Sequence, residues 1–191
     1  MGSSLEVGPV HHGHRQRVHD ILAGAGIFRT DEIEVALELF DETFSKTNDG
    51  PVRANRDEAR SGDGSYRFLG AVQRDPSKRT EELAGFVCWG PTPGTDRTWD
   101  LYWIAVDPAV HGRGAGSMLM AEVERRIQKE SARLLVVETS SREDYEPTRR
   151  FYLGRGYEEA ARLGSFYAPD DERVVYVKRF SQEPSRGGAA A

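Results

Sequence analysis

A glycine-rich hexapeptide is the segment of the sequence best suited to bind a ligand. It reads Gly112-Arg113-Gly114-Ala115-Gly116-Ser117, and it lies between an apolar, β-branched stretch and a segment with helical spacing of apolar residues. A glycine-rich turn at the start of a helix leaves backbone N–H groups without acceptors, and the helix dipole adds positive potential there. Because glycine carries no side chain, a phosphate group can approach this backbone closely. The hexapeptide therefore predicts a site for a phosphate-bearing ligand.

Two common phosphate-binding loops do not match this spacing. A Walker loop requires Gly-Lys followed by Ser or Thr, and the hexapeptide contains no lysine. A dinucleotide fingerprint has the spacing Gly-x-Gly-x-x-Gly with an acidic residue about 20 positions later. The spacing here is Gly-x-Gly-x-Gly, so a nucleotide-binding regulator is disfavoured.

The hexapeptide belongs to a predicted strand–turn–helix–strand unit. Residues 99–106 are aromatic and β-branched, which is typical of a buried strand. Asp107-Pro108 ends that strand, because proline has no N–H to donate. A helix is predicted over 118–129 and the next strand over 133–139, and a β-α-β unit of this kind pairs its strands in parallel.

Helices and strands are also predicted in the rest of the chain. Residues 15–180 form one predicted domain, preceded by a flexible lead-in over 1–14 that holds a short strand near 5–10, and followed by a disordered polar tail over 181–191. Residues 45–64 are expected to be a linker or loop. The remaining predicted helices cover 15–24, 145–153 and a segment from 30 onward, and the remaining strands cover 66–73, 83–90, 157–163 and 173–180.

Composition limits the class of protein. Of the 191 residues 30% are charged and the net charge is −5, which argues against a nucleic-acid-binding surface. No apolar run reaches the roughly 20 residues that span a bilayer, so no membrane partner is expected. The single cysteine, Cys88, reads as a small buried hydrophobe and indicates a reducing, cytoplasmic setting. His11, His12 and His14 lack a cysteine or carboxylate cluster to complete a ligand set, so no metal is expected.

Two motifs resemble those of a known family. The segment Val106-x-Pro108-x-x-x-Gly112-Arg113-Gly114-Ala115-Gly116 resembles the acetyl-CoA-binding motif of the GNAT superfamily of N-acetyltransferases. The segment from Arg149 to Tyr157 resembles that family's late FY-x-x-x-GF/Y signature. The resemblance extends over residues 15–180 and is closest to bacterial stand-alone members.

The resemblance implies both a fold and an activity. The fold is α/β (α+β): a mixed, mostly antiparallel sheet, splayed at the central β-α-β acetyl-CoA motif, with helices on both faces. The activity is direct transfer of an acetyl group from acetyl-CoA to a primary amine in a ternary complex, without a metal. A homodimer that pairs through the edge of the last strands is an assembly the resemblance also implies.

The resemblance assigns cofactor contacts residue by residue. The hexapeptide N–H groups would hold the pyrophosphate, and the backbone of the central strand would pair with the pantetheine arm. Two positions depart from the family pattern, because His111 replaces the usual Gln or Arg and Tyr145 stands where many members carry an asparagine. The implied cofactor-binding residues are Ile104, Ala105, Val106, His111, Gly112, Arg113, Gly114, Ala115, Gly116, Ser117 and Tyr145.

Three residues are candidates for proton transfer. Tyr152 matches the family's tyrosine that protonates the leaving thiolate, and a phenol suits a general acid. Alternation along the central strand places Asp100 on the face of Tyr102, Ile104 and Val106, so Asp100 could serve as base or as anchor of a substrate ammonium group. Glu138 is the second candidate base, and a chain of water molecules is the third route.

The acceptor is left open. A small-molecule or amino-acid-like amine suits the acidic composition. A protein N-terminus or lysine is the alternative within the same class. A non-catalytic acyl-CoA-binding sensor belongs to a different class, and it would be expected to lack the general acid that Tyr152 supplies.

Overall fold

A computed structural model describes residues 4–45, 59–60, 66–75 and 80–181. These residues divide into two compact units. The first unit takes the described residues up to Pro91 together with Leu101–Glu124. The second unit takes Thr92–Asp100 and the described residues from Arg125 onward. Most of the predicted tail over 181–191 (residues 182–191) and most of the predicted loop over 45–64 lie outside the described residues.

The first unit is built on antiparallel strands. Its strands follow the order β1-β3-β4-β5, and the short β2 also pairs with β3. In the β3–β4 pair Phe68 lies opposite Cys88, which places both on the face that packs against the helices. The strands are β1 (Ser4–Gly8), β2 (Ala59–Arg60), β3 (Arg67–Asp75), β4 (Thr80–Pro91) and β5 (Thr98–Val106), of which 101–106 belong to this unit.

Two helices cover one face of these strands. Helix α1 (Arg15–Ala25) ends at Gly26, whose φ of +71° is the left-handed conformation that glycine adopts without strain. Helix α2 (Thr30–Ser45) follows directly. Apolar residues at helical spacing on both helices are buried against β3, β4 and β5: Val18, Ile21, Leu22, Ala36, Leu37, Phe40 and Phe44.

Helix α3 (Ala115–Lys129) follows the glycine-rich hexapeptide. It begins at Ala115 rather than at the predicted Met118, so three residues of the hexapeptide form its first turn. Leu119, Met120 and Val123 are fully buried, as their helical spacing predicts.

The second unit is built on three antiparallel strands and one complete helix, and it also takes residues 98–100 of β5 and 125–129 of α3. The strand order is β6-β8-β7, where β6 is Leu134–Ser140, β7 is Glu158–Ala168 and β8 is Asp171–Arg179. Its helix, α4, covers Glu146–Gly154. Strand β7 lies at the edge, and its pairing with β8 is interrupted by a bulge between Glu159 and Ala161. Such bulges, together with charged side chains, protect an edge strand from pairing with another chain.

The predicted fold class is confirmed. In the described residues the strands form a mixed, mostly antiparallel arrangement, accompanied by four α-helices. In the described part of the chain, none of the helices is both long and apolar enough to cross a bilayer. Residues 4–8, in the expected lead-in, form β1 and pair with β3.

Two neighbouring aromatic residues of β5 pack against the same core. Strict alternation places Tyr102 and Trp103 on opposite faces of the strand, yet both pack against the core covered by α1 and α2. Trp103 contacts Phe28 with ring centroids 5.5 Å apart, and Tyr102 contacts Tyr66 at 5.1 Å. Alternation along β5 therefore does not by itself decide which of its side chains contact this core.

Candidate cofactor-binding site

The glycine-rich hexapeptide adopts a conformation that requires glycine. Gly112 and Gly114 have φ values of +73° and +83°, in the left-handed region that side chains disfavour. A Cβ atom built at either position meets no atom within 4 Å. The space beside both of these backbone positions is therefore open.

Backbone donors are concentrated at this turn. The first hydrogen bond into α3 runs from the Met118 N–H to the Gly114 carbonyl, over 2.9 Å. The N–H groups of residues 114–117 precede that bond, and the first donors of an α-helix have no acceptor within the helix. The positive end of the helix dipole lies at the same place. The N–H groups of residues 114–117 thus suit a pyrophosphate group, as the resemblance to the acetyl-CoA motif implies.

The turn that leads into the hexapeptide is fixed by Asp107. Its Oδ1 accepts the Ala109 N–H at 2.8 Å, and its own N–H donates to the Ala84 carbonyl of β4 at 2.9 Å. Its carbonyl accepts the Val110 N–H at 2.9 Å. The Ala109 N–H, and after it the Arg17 guanidinium, hold the pKa of the Asp107 carboxyl below its ordinary value. A carboxylate held ionised in this way caps the single 3₁₀ turn of residues 108–110.

His111 contacts the protein's own backbone. Its Nε2 lies 3.0 Å from the Val106 carbonyl oxygen. Because a carbonyl can only accept, Nε2 must carry the proton, and in a neutral imidazole Nδ1 is then an acceptor. His111 in this form has no second N–H to donate to a phosphate, so it joins the end of β5 to the loop.

The end of β5 approaches β4 very closely. Ala105 is buried, while Ile104 and Val106 are half-buried. A Cβ atom at Gly85 of β4 would lie 3.0 Å from the Ala105 oxygen and 3.3 Å from the Val106 Cα. Gly85 is therefore needed for the spacing of these two strands, a role that sequence reasoning missed because only the strand register reveals it.

Arg17 of α1 is a second residue that sequence reasoning missed. Its Nε donates to the Leu83 carbonyl of β4 at 2.8 Å, and its Nη2 donates to Oδ2 of Asp107. Glu82 Oε1 lies 3.3 Å from the same Nη2. No spacing in the sequence indicates this contact, since 90 positions separate Arg17 from Asp107.

The second unit holds the predicted acid. Tyr152 is 2% exposed, within an aromatic cluster whose ring centroids lie 5.4 Å (Phe151), 5.5 Å (Tyr157) and 6.0 Å (Tyr176) from its own. Burial raises the pKa of the Tyr152 phenol, so the group stays protonated at neutral pH. A protonated phenol is the form in which a general acid must begin.

The two candidate bases differ in their surroundings. Asp100 is half-buried, and its Oδ2 accepts the Thr92 hydroxyl at 2.7 Å. Glu138 forms an ion pair with Arg173, and the Arg173 guanidinium lies 4.9 Å from the centre of the Phe166 ring. Glu138 is thus occupied by a cation, whereas the contact of Asp100 is with a neutral hydroxyl.

Tyr145, a predicted cofactor contact, is buried in the second unit. It is 8% exposed, and the Arg142 guanidinium lies 5.1 Å from the centre of its ring. Ile104 to Val106 and His111 to Ser117 form one continuous strand–turn–helix segment of the first unit. Asp100, Glu138, Tyr145 and Tyr152 belong to the second unit.

Comparison with known proteins identifies the family. A family model described as the acetyltransferase (GNAT) family matches residues 33–157. The chain belongs to the GNAT acetyltransferase family. The match includes β5, the glycine-rich hexapeptide, α3 and Tyr152.

Solved structures have a similar fold. The crystal structure of a protein from Desulfovibrio desulfuricans, assigned to the GNAT family, is 32% identical with a TM-score of 0.75, covering 93% of this chain and 99% of that one. PaiA N-acetyltransferase from Thermoplasma acidophilum, solved in complex with coenzyme A, has the same fold at 17% identity, with a TM-score of 0.63 and coverage of 93% and 99%.

A curated relative matches over a shorter stretch. Mycothiol acetyltransferase from Brachybacterium faecium is 37% identical over 87 residues, which are 44% of this chain and 25% of that protein. The chain therefore spans about a quarter of the length of this curated relative.

Proposed function

We propose that this GNAT acetyltransferase transfers an acetyl group from acetyl-CoA to a primary amine of a small molecule. The observation that carries the proposal is the hexapeptide, where left-handed glycines and the first N–H groups of α3 meet beside open space. That arrangement suits a pyrophosphate, and acetyl-CoA carries one. The coenzyme A complex of the Thermoplasma acidophilum protein supports the same ligand.

The cofactor contacts follow from this arrangement. The N–H groups of residues 114–117 bind the pyrophosphate, and the exposed Arg113 adds positive charge. The backbone of Ile104 to Val106 pairs with the pantetheine arm. His111 holds the Val106 carbonyl and so orients the strand end instead of binding phosphate.

Tyr152 and Asp100 carry the proton transfers. When bound, acetyl-CoA supplies a thioester carbonyl whose carbon forms a bond to the amine nitrogen as its bond to sulfur breaks. Tyr152 donates its phenolic proton to the leaving thiolate. Asp100 receives the amine proton or anchors the ammonium group, and it suits this role better than Glu138, which Arg173 neutralises. Both proton transfers pair a donor with an acceptor, so charge balances over the reaction.

The acceptor is proposed to be small and cationic. The net charge of −5 favours cations over anions near the protein, and Asp100 offers a carboxylate whose Oδ1 has no hydrogen-bond partner among the described residues. A protein N-terminus or lysine is the competing acceptor, and the assay must include both classes.

The deciding experiment is calorimetric titration with CoA and acetyl-CoA. We compare the wild-type protein with Ser117→Glu, and use Ser117→Gln as the matched control. Ser117 is exposed at the third position of α3, where a carboxylate is favoured by the helix dipole but repels a phosphate. The expected result is tight binding by wild type and by Ser117→Gln, and a loss of about tenfold or more for Ser117→Glu, or roughly 1.4 kcal/mol.

Acceptor class is then tested by acetyl transfer to a panel of small primary amines and to peptides with a free N-terminus or a lysine. Turnover of small amines supports the proposal, and turnover of peptides alone would replace the small-molecule acceptor with a protein. CoA binding without any turnover would favour a sensor domain. Failure of the wild-type protein to bind CoA would overturn the cofactor assignment.

A further inference from the structure

Helix α1 contacts the turn that precedes the glycine-rich hexapeptide at two places on one face. Arg17 bonds to Asp107 at the start of the turn. Seven residues later on α1, a Cβ at Gly24 would lie 3.8 Å from Pro108 Cδ, so the helix backbone lies against the proline. Residues seven apart share a face of an α-helix, so α1 supports the turn along its length.

We propose that Arg17 is a positioning residue for the cofactor-binding hexapeptide and acts through Asp107. This inference rests on the proposed binding of acetyl-CoA at that loop. Arg17 joins three parts of the first unit, because its guanidinium bonds to the β4 backbone at Leu83 and to the Asp107 carboxylate while its stem belongs to α1. Asp107 in turn caps the 3₁₀ turn from which residues 112–117 continue.

The path from Arg17 to the ligand is short and continuous. Oδ2 of Asp107 accepts a hydrogen bond from the Arg17 guanidinium, and Oδ1 accepts one from the Ala109 N–H. The same carboxylate therefore joins α1 to the turn. The Val110 carbonyl at the end of that turn accepts the Arg113 N–H at 3.2 Å, inside the hexapeptide. Loss of Arg17 removes one restraint on Asp107 and leaves the Ala109 contact, so the turn loosens while the fold persists.

Burial separates this contact from an ordinary surface ion pair. The side chains of Arg17 and Asp107 are 28% and 17% exposed, and hydrogen bonds between charged groups with limited solvent access are stronger than exposed ones. Arg15, on the same helix, pairs with Asp41 through side chains that are 45% and 43% exposed. Arg15 does not contact the turn among the contacts of the described residues, so it is a matched control.

The experiment measures CoA affinity by calorimetry for wild type, Arg17→Gln and Arg15→Gln, at a temperature well below each variant's melting transition. Arg17→Gln is expected to raise the Kd for CoA about tenfold, which corresponds to roughly 1.4 kcal/mol. Arg15→Gln is expected to keep the wild-type Kd. With an acceptor in hand, Arg17→Gln should raise the KM for acetyl-CoA and leave kcat within about twofold.

A double-mutant cycle tests the route through Asp107. Asp107→Asn should weaken CoA binding as Arg17→Gln does, and the double variant should lose no more than the larger single loss, because both act on one contact. Arg17→Lys keeps the charge but cannot bond to both Leu83 and Asp107, so its Kd for CoA should lie between those of wild type and Arg17→Gln. This variant replaces Arg17→Gln in the comparison if Arg17→Gln does not fold.

The outcomes separate the two proposals. A wild-type Kd in Arg17→Gln, an equal loss in Arg15→Gln, or additive losses in the double variant would each overturn the role of Arg17. Absence of CoA binding by the wild-type protein would instead overturn the cofactor assignment on which this role rests.

Discussion

Asp107 uses its two carboxylate oxygens for two different tasks. Oδ1 caps the turn that follows β5, while Oδ2 receives the guanidinium of a helix far away in the sequence. The Ala109 contact alone would fix the turn without joining it to α1, and the Arg17 contact alone would join the turn to α1 without capping it. An ionised carboxylate serves here because it can accept several hydrogen bonds and pair with a cation at once.

Asp107→Asn should destabilise the protein in a pH-dependent way. We expect a loss of about 1–2 kcal/mol in the free energy of unfolding at neutral pH, because a partly buried arginine loses its counter-charge. The folded-state pKa of Asp107 is lowered, so its contribution is present above the ordinary aspartate pKa of about 3.9 and is lost as pH falls through the lowered value.

Urea unfolding of wild type and Asp107→Asn at a series of pH values measures this contribution. The difference between the two proteins should be constant from about pH 5 to 7 and shrink below about pH 4. A difference that does not depend on pH would show that Asp107 acts through shape rather than charge.

Tyr152→Phe should leave the fold intact and slow the reaction. The hydroxyl is the only group removed from a well-packed aromatic cluster, so the melting temperature should change little. Loss of a general acid costs about 10²–10⁴-fold in kcat, and we expect the lower part of this range because water can donate the proton. Steady-state kinetics with a matched CoA titration measures the effect, and an unchanged kcat would remove Tyr152 from the mechanism.

The pH dependence of the wild-type rate bears on the same residue. Burial raises the pKa of Tyr152 above the ordinary phenol value of about 10, so the acid stays protonated throughout the neutral range. Activity should therefore show no alkaline decline caused by this group below about pH 10.

At the scale of elements, the end of β5 is held between two neighbours in the first unit. Strand β4 approaches it through Gly85, and helix α1 reaches the following turn through Arg17. The Asp107 N–H donates to the Ala84 carbonyl at 2.9 Å, which continues the contact of β4 beyond the strand. The position of the hexapeptide is thus set by elements that do not contain it.

Gly85→Ala should destabilise the first unit and weaken CoA binding together. The added methyl would lie 3.0 Å from a backbone oxygen of β5, and backbone cannot move aside as a flexible side chain can. Overpacking of this kind costs about 1–3 kcal/mol in the free energy of unfolding. Urea denaturation measures the loss, and CoA calorimetry measures the displacement of the strand end.

Gly154→Ala is the matched control for this substitution. A Cβ at Gly154, the last residue of α4, meets nothing within 4 Å, so the same chemical change should be neutral or stabilising by about 0.4–1 kcal/mol. Equal losses in the two variants would contradict the steric explanation for Gly85.

At the scale of the whole molecule, local patterns in the sequence indicate the fold and the binding loop. The alternating and continuous apolar runs indicate strands. The hexapeptide indicates the start of α3, because glycine sets the local backbone conformation whatever lies around it. These features depend on neighbours in the chain, which a sequence displays directly.

What the sequence does not reveal depends on distant contacts. The Arg17–Asp107 pair joins residues 90 positions apart, and the need for glycine at position 85 exists only because of how β4 and β5 approach. Tyr102 and Trp103 both contact the same core although they are neighbours in β5, because the elements packed around a strand also decide which side chains they meet. Tertiary packing decides each of these, so spacing alone could not predict them.

Cys88 gives the whole molecule a further experimental property. It is the single cysteine of the chain, it is 0% exposed, and burial raises the pKa of its thiol. The folded protein should therefore leave disulfide-exchange reagents unconsumed, since only an accessible thiolate attacks them. A rapid reaction of a chromogenic disulfide reagent with the native protein, before any denaturant is added, would contradict the burial of the Cys88 thiol.

Because buried Cys88 should not react with thiol reagents, product formation can be followed directly. In the proposed reaction every acetyl group transferred releases one CoA thiol, and a chromogenic thiol reagent would detect that thiol without a contribution from the enzyme's own cysteine. The same reagent, used without substrate, would react only as the molecules unfold. The absorbance of the reacted reagent thus measures CoA release while the protein is folded, and it measures the exposure of Cys88 when the protein unfolds.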